Sequence, residues 1–518
     1  MRKFIPLLFF IGWNMDHVSA AKILGLMSTP SPSHHIWNRA LMLALAARGH
    51  QVTVLSPNPE KQPVANHTDI VIEKAYERLE DSNYNYEAMS TMTFIENARI
   101  WFLWGQDACE FGMSTKGVQK LMSLQGKEKF DLIIIDITLE ECFLGFVPMF
   151  GYPPVIAITA YVSPPWYNTM VGNPQILSFT SMQTLPFTDH MTFGQRMVNF
   201  LLHNYMLYYR NFHHLPAMDN IAKKYFGNSA PLPSEIERNV SLVMVNTHFS
   251  MDYPLPLVPA MIPVGGMHIT PGKELPKDLK MFLDEAKHGA IFFSLGSNVR
   301  SDKMPPEKVK AFLDAFSELP QRVLWKWESD SLPGQPQNVI VRKWLSQNDI
   351  LAHPNVCLFI SHGGKLSSQE SIYHGVPIVG MPFLADQFAN VVKLATRGVG
   401  VELVYHTLSK QSVLNAVHTV VGNHSYRDNM KKLSAIFRDQ PETPLKRAIF
   451  WTEYVLRHGG APLRSVGADL PWYQYFLLDV IAVLFIGTTL MFVLFGLVLT
   501  TIYRFLVPAT RRIKSKQQ

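Results

Sequence analysis

Val356-Cys-Leu-Phe-Ile360 runs into Ser361-His-Gly-Gly-Lys-Leu-Ser-Ser-Gln-Glu-Ser-Ile-Tyr-His-Gly-Val-Pro377, and this join decides the fold. The apolar run suits a parallel strand buried on both faces. His362-Gly363-Gly364 makes a turn. A helix is predicted from about Ser367 to His374, closed by Gly375 and stopped by Pro377. Strand, glycine turn and helix N-terminus form an anion site, because glycines let a phosphate approach the backbone and the free N–H groups favour its charge. Glu370, expected on the first turn of that helix, would repel a phosphate, so neutral hydroxyls such as those of a ribose suit it better. Upstream, Trp344 offers a flat face for a base. Beyond Pro382, Asp386-Gln387 offers acceptors and donors for a sugar.

Trp344, Gln347, His353, His362, Gly364, Ser367, Glu370, Gly375, Pro377, Pro382, Asp386 and Gln387 together resemble the signature of the UDP-glycosyltransferases. So many matches in one register carry far more weight than a single glycine motif. The resemblance implies base stacking on Trp344 and ribose contacts from Gln347 and Glu370. It implies diphosphate contacts from Ser361, His362 and Ser367, and sugar hydroxyls held by Asp386 and Gln387. Leu366 departs from the pattern, since many members carry Asn there, which leaves only backbone N–H groups to serve. Lys365 is also unusual and could add charge near the phosphates; a plain crossover with a solvated lysine is the blander reading.

A chain of 518 residues exceeds one core and suggests two domains. Its formal charge of +6 is unevenly spread. Arg2, Lys3 and Asp16 leave one excess cation in the leader, and Arg504, Arg511, Arg512, Lys514 and Lys516 crowd the tail, so residues 21–502 carry no net charge. A nucleic-acid partner is therefore not expected. Cys109, Cys142 and Cys357 show neither CxxC spacing nor an even count, so neither a disulfide framework nor a zinc site is expected. No Asp-x-Asp or HExxH motif occurs, and no metal is needed if the helix terminus and His362 carry the diphosphate charge.

Both ends address a membrane. Residues 1–20 combine a basic start, the apolar Phe4–Trp13 and a small-residue site at Val18-Ser-Ala20, the pattern of a secretory signal peptide. Val480–Ile502 is an uncharged apolar run of spanning length, with Trp472, Tyr473, Tyr475 and Phe476 before it and the basic tail 503–518 after it. A single-pass type I protein with a luminal body is expected. Lys514-Ser-Lys-Gln-Gln518 resembles a dilysine retrieval signal of the endoplasmic reticulum. Sequons at Asn66, Asn239 and Asn423 fall on the luminal side of this topology.

In the N-terminal half, strand Ile23–Met27, helix Ile36–Arg48 and strand Gln51–Leu55 read as a βαβ unit with Ser33 as N-cap and His34 in the crossover loop. Strand Phe130–Asp136 ends in an acid. Open parallel sheets bind ligands outside the carboxyl ends of their strands, so His34 and Asp136 are expected on one rim. A histidine beside a carboxylate suits a general base; a capping histidine near an unrelated aspartate fits the pattern equally well. The resemblance favours the catalytic pair, because Ser33-His34 and Arg48-Gly49-His50 are similar to the family's opening motif and Asp136 matches its second catalytic residue. His35 stands where other members often carry an aromatic residue. Residues 161–227 are rich in aromatics and Met. Met197–Leu215 would bury a wide helical stripe, while loops in this region could line an apolar acceptor pocket or touch a membrane.

Proline-rich residues 251–271 read as a linker without regular structure. Strands and helices then alternate again, with Gly296-Ser297 as a second strand-end turn able to touch phosphate. Pro444–His458 is a last amphipathic helix, which in the family returns to the N-terminal domain. The expected architecture is α/β: two Rossmann-like domains facing across a cleft, the GT-B arrangement, with one C-terminal transmembrane helix. Residues 21–250 would bind the acceptor and 272–440 the UDP-sugar; 441–479 would return toward the first domain, and 480–502 would span the membrane. The implied reaction is inverting transfer from a UDP-sugar to the hydroxyl of a small lipophilic acceptor, with His34 as base. The stretches Phe292–Arg300 and Gly265–His268 are similar to insect members and imply UDP-glucose over UDP-glucuronate. A glycolipid glycosyltransferase, a non-catalytic luminal lipophile-binding protein, and homo- or hetero-oligomers stay open on sequence grounds.

Overall fold

A computed structural model describes residues 20–81 and 92–514; the leader through Ser19 and the end of the dilysine pattern lie outside the described residues. The chain divides into two compact units, Met1–Arg464 and Ser465–Gln518.

The described residues of the first unit build two all-parallel sheets. The first holds β1 (Lys22–Leu26), β2 (Gln51–Ser56), β3 (His67–Val71), β4 (Leu132–Asp136), β5 (Val155–Thr159), β6 (Leu242–Val245) and β7 (Met261–Pro263), in the order β3-β2-β1-β4-β5-β6-β7. The second holds β8 (Ala290–Ser294), β9 (Arg322–Lys326), β10 (Val339–Arg342), β11 (Val356–Ser361), β12 (Ile378–Gly380) and β13 (Gly400–Glu402), in the order β10-β9-β8-β11-β12-β13. Both sheets reverse their direction of growth at the central pair, β1 beside β4 and β8 beside β11. Loops leaving two such strands diverge and open a crevice beyond their carboxyl ends.

The helices used below are α1 (Pro32–Ala47), α2 (Phe94–Met113), α3 (Phe193–Tyr209), α4 (Phe249–Asp252), α5 (Gln347–Leu351), α6 (Lys365–His374), α7 (Gln387–Thr396), α8 (Pro444–His458) and α9 (Leu478–Lys514). Helices on both sheet faces explain why β4 and β5 are buried along their whole length. Alternation along β8 feeds two cores: Ile291 and Phe293 enter one, Ala290 and Phe292 the other. Helix α8 keeps its predicted bounds. Thr443 accepts a bond from the Lys446 N–H at its start, and Gly459 follows its end. Its Ala448 and Val455 join the core of the first sheet, and Glu453 takes both Arg48 donors at 2.9 and 3.1 Å.

Several expectations are corrected. Helix α1 begins at Pro32, so His34 sits in its first turn; Ser31, not Ser33, stands at the N-cap, and without a capping side-chain bond. Proline at N1 needs no N–H partner, which moves the start upstream. Helix α6 begins at Lys365, placing Glu370 on its second turn. Within the supposed linker, Met261–Pro263 pairs with β6 as an edge strand, a place that tolerates proline. Cys109 and Cys142 form a disulfide, joining α2 to the turn after β4 with Cα atoms 6.2 Å apart; Cys357 stays free. No motif spacing announces that pair. Among the aromatics of 161–227, Trp166 and Tyr167 are buried, but Phe193, Phe200, Tyr208 and Phe212 are exposed. Helix α3 is apolar nearly all round yet buries only the side bearing Leu202 and Met206.

In the second unit, Leu478–Leu506 of α9 is long and apolar enough to cross a membrane.

Candidate active site

His34 and Asp136 meet at the switch point of the first sheet. Strand β1 delivers the chain to α1, whose first turn carries His34, and the neighbouring β4 ends on Asp136. Nδ1 of His34 lies 2.7 Å from Oδ2 of Asp136, with both side chains buried. Asn38, one turn along α1, donates to the same oxygen at 2.9 Å, and Thr138 donates to Oδ1 at 2.7 Å. Burial alone would raise this carboxyl; the His34 charge and the bonds from His34, Thr138 and Asn38 outweigh it and hold the group below its ordinary range. A carboxylate can only accept, so the proton of a neutral His34 resides on Nδ1 and Nε2 is left to accept one. His35, half-buried, lies instead among the charges of Arg39, Glu60, Asp69 and His67.

An aromatic wall stands beside this pair. The Tyr161 ring meets the His34 ring edge-on at 4.9 Å, and Trp101 meets Tyr161 at 5.6 Å. Tyr161, Trp101, Phe102 and Met206 line a small cleft that opens to solvent, and Asp386 of the second half completes it. Nearby Glu140 is fully buried. Burial, then the Asp136 charge, pushes its carboxyl well up, while Thr29 and the Leu139 N–H bond one of its oxygens.

The second switch point carries the other predicted residues. Ser361 ends β11, and its hydroxyl accepts the Gly363 N–H at 3.2 Å; Ser294 does the same for Gly296 at the end of β8. The buried His362 ring lies between these turns. A Cβ at Gly296 would come within 2.4 Å of it and one at Gly364 within 2.3 Å, so both glycines make room for the imidazole. That differs from the expected reason, room for phosphate alone. Burial, helped by Lys326, pulls His362 down to about 4, so at neutral pH the ring is neutral and can offer a hydrogen bond.

Gln347, opening α5, donates to Glu370 at 2.6 Å and to Ser367 at 2.9 Å, bringing those three together. The nearby Trp344 is 65% exposed and presents its face to solvent. The Gln387 carbonyl is committed to its own turn, accepting the Phe383 and Leu384 N–H groups at 2.8 and 3.1 Å. Asp386 is buried and accepts from Asn390 at 2.8 Å. Ser297 is half-buried, and the next residue, Asn298, donates to Ser31 at 3.2 Å, tying the turn after β8 to the start of α1. Lys365 is not a solvated cation. It is buried and bonded to Asp252. Among the described residues, no cluster of three His, Cys, Asp or Glu side chains is arranged to hold a metal.

Residues 22–513 match the family described as UDP-glucoronosyl and UDP-glucosyl transferase. The chain belongs to this family. The UDP-glycosyltransferase is 40% identical to UDP-glucosyltransferase 2 of Dactylopius coccus, with 91% of each chain covered. It is 30% identical to UDP-glucuronosyltransferase 2B15 of Rattus norvegicus, covering 93% of this chain and 94% of the relative. In fold it is similar to a UDP-glucose: anthocyanidin 3-O-glucosyltransferase solved in complex with UDP, with TM-score 0.56 and 17% identity over 84% of this chain and 99% of the other. The two halves thus form the GT-B arrangement of a UDP-glycosyltransferase.

Sequence reasoning missed Asn38, Thr138, Tyr161 and Trp101. Asn38 was within reach, because residues four apart share a helix face and His34 is its partner at that spacing. Thr138 lies two residues beyond Asp136. Tyr161 and Trp101 come from separate segments, and no spacing links them to His34.

Proposed function

We propose that this UDP-glycosyltransferase transfers glucose, with inversion, from UDP-glucose to the hydroxyl of a small lipophilic acceptor. His34 Nε2 takes the acceptor proton as the acceptor oxygen bonds the anomeric carbon. The bond from that carbon to the diphosphate oxygen breaks, and UDP leaves with its electrons. Asp136 steadies the imidazolium that forms. The observation that carries this reading is the buried His34–Asp136 pair, three donors on its carboxylate, beside an aromatic cavity that Asp386 of the other half completes.

Residues 21–250 would bind the acceptor and 272–440 the donor, with the base on Trp344, the ribose at Gln347 and Glu370, and the diphosphate at Ser297, Ser361, His362, Gly364 and Ser367. The sugar hydroxyls would lie at Asp386 and the Gln387 amide. Glucose is favoured over glucuronate by the name of the relative at 40% identity and by Lys365, whose cation is committed to Asp252. The test assays membranes containing the enzyme against UDP-glucose and UDP-glucuronate with a panel of phenols. Faster turnover of UDP-glucuronate would overturn the sugar assignment.

We further propose a type I anchor in the endoplasmic reticulum with the body in the lumen. The Cys109–Cys142 disulfide and the exposed sequon asparagines suit an oxidising, glycosylating compartment. Protease added to sealed microsomes should clip only the tail; digestion of the body would reject this topology.

A further inference from the structure

One carboxylate bonds the start of α6 and the last turn of α7. Asp252 closes α4, the short helix that follows β6 of the first sheet. Its side chain is fully buried and receives four donors. Lys365 and Lys393 both bond Oδ1, the latter at 3.2 Å, while the Thr247 hydroxyl and the His248 N–H bond Oδ2 at 3.0 and 3.1 Å. Lys365 is the first residue of α6, whose N-terminus faces the diphosphate site assigned above. Lys393 lies on α7, which starts from Asp386 and Gln387. A single anion from the first half therefore pins the helix assigned to the phosphates and the helix assigned to the sugar.

The same cluster contains a competitor. Asp386 is buried, with Asn390 as its bonded partner, and the charges of Lys365 and Lys393 both reach it. Burial raises the Asp386 carboxyl above its ordinary range, while the Asn390 bond and the two lysines work the other way. A buried ammonium must be paired or give up its proton, and burial already lowers Lys365 to about 8 against the pull of Asp252. Deprived of Asp252, lysines that keep their charge would turn to Asp386, a carboxylate on which both already act, and would occupy the oxygens meant for sugar hydroxyls.

We propose that Asp252 is a positioning residue for the donor: by holding Lys365 and Lys393 it keeps Asp386 open to the sugar. This rests on the reading that Asp386 binds the donor sugar. It accounts for a lysine at the first position of a phosphate-facing helix that makes no bond toward the turn, and it assigns work to a residue outside the donor signature.

The test measures donor and acceptor KM and kcat in the full-length, membrane-bound enzyme. Asp252→Asn should raise the donor KM about tenfold or more, with the acceptor KM unchanged and kcat at saturating donor kept within about threefold, because a freed lysine that keeps its charge takes Asp386 as its anion. Rescue is the sharper readout. Adding Lys365→Met and Lys393→Met to Asp252→Asn removes the competing cations and should return the donor KM to within about threefold of the parent, since neutral replacement of a whole buried ion cluster is often tolerated. A triple variant as impaired as Asp252→Asn, or an Asp252→Asn that melts earlier but keeps its donor KM, would overturn the proposal. Lys365→Met alone leaves Asp252 with Lys393 and frees no cation, so its donor KM should hold. A large rise there would mean that Lys365 touches the donor itself, and this arm decides even if Asp252→Asn fails to fold. Asp386→Ala separates the premise: an unchanged donor KM in that variant would remove Asp386 from the sugar site and overturn the proposal there, whereas a raised donor KM in it with no rescue in the triple variant would overturn the proposal at Asp252.

Discussion

His34 and His362 are both buried beside the central strand pair of their sheets, His34 beyond β1 and His362 beyond β11, yet their surroundings differ. His34 is bonded to a carboxylate that Asn38 and Thr138 hold in place, so its free nitrogen can take a proton and the resulting charge has a partner. His362 has Lys326 as its charged neighbour and a buried Nδ1 without a bond, and it stays neutral. The second half does carry a carboxylate at Glu370, but that group is bonded to Gln347 and lies 3.2 Å from His268. Position in the fold brings a histidine to the cleft; the neighbouring charge decides whether it can act as a base.

The largest expected effect would break this contrast at its first member. General-base catalysis contributes about 10²–10⁴-fold in rate, so His34→Ala should lose turnover on that scale while UDP affinity barely changes. Asp136→Asn should follow in the same direction, and His35→Ala should be mild. The defect of His34→Ala should shrink with a nitrophenol, which is partly ionised at neutral pH and needs the base less. An equal defect for acidic and ordinary phenols, or a dead His35→Ala, would show that His34 is not the base.

The second prediction uses pH. Folding lowers His362 from 6.5 to about 4, so between those values the unfolded chain binds more protons and stability rises with pH. His203 and His248, also lowered to about 4 by burial, add to the same slope. These histidines therefore lower the melting temperature at pH 5 relative to pH 7, against the opposite slope of the raised Glu140 carboxyl. His362→Gln should narrow the gap by an amount on the order of 1–3 kcal/mol, because each tenfold loss of proton affinity on folding corresponds to about 1.4 kcal/mol. A gap that His362→Gln leaves untouched would mean that His362 titrates as it does in the unfolded chain.

The smallest expected effect concerns the carboxylate of the second site. Glu370→Ala should weaken UDP binding by about 1–3 kcal/mol, the range for hydrogen-bonded hydroxyls left unpaired. The pH profile of turnover should keep its shape, because Glu370 does not touch His34. Isothermal titration with UDP gives the first quantity and initial rates the second; unchanged UDP affinity would remove Glu370 from the ribose site.

Much of this molecule is legible in one dimension. Short apolar runs ending in glycine turns predict parallel strands and crossovers, since a strand covered on both faces needs no polar alternation. The bounds of α8 follow from Thr443-Pro444 at one end and Gly459 at the other, and the family follows from the register of residues between Trp344 and Gln387. Those features depend on neighbours in sequence. What tertiary structure alone decided depends on groups brought together from far apart. The Cys109–Cys142 bond, the Tyr161–Trp101 wall and the capture of Lys365 by Asp252 each join separate segments, and no periodicity records such meetings. His362 makes the point most directly. The sequence placed it at the phosphate turn, but that its ring is packed between two glycines and lowered by burial and Lys326 follows only from groups brought together in the fold.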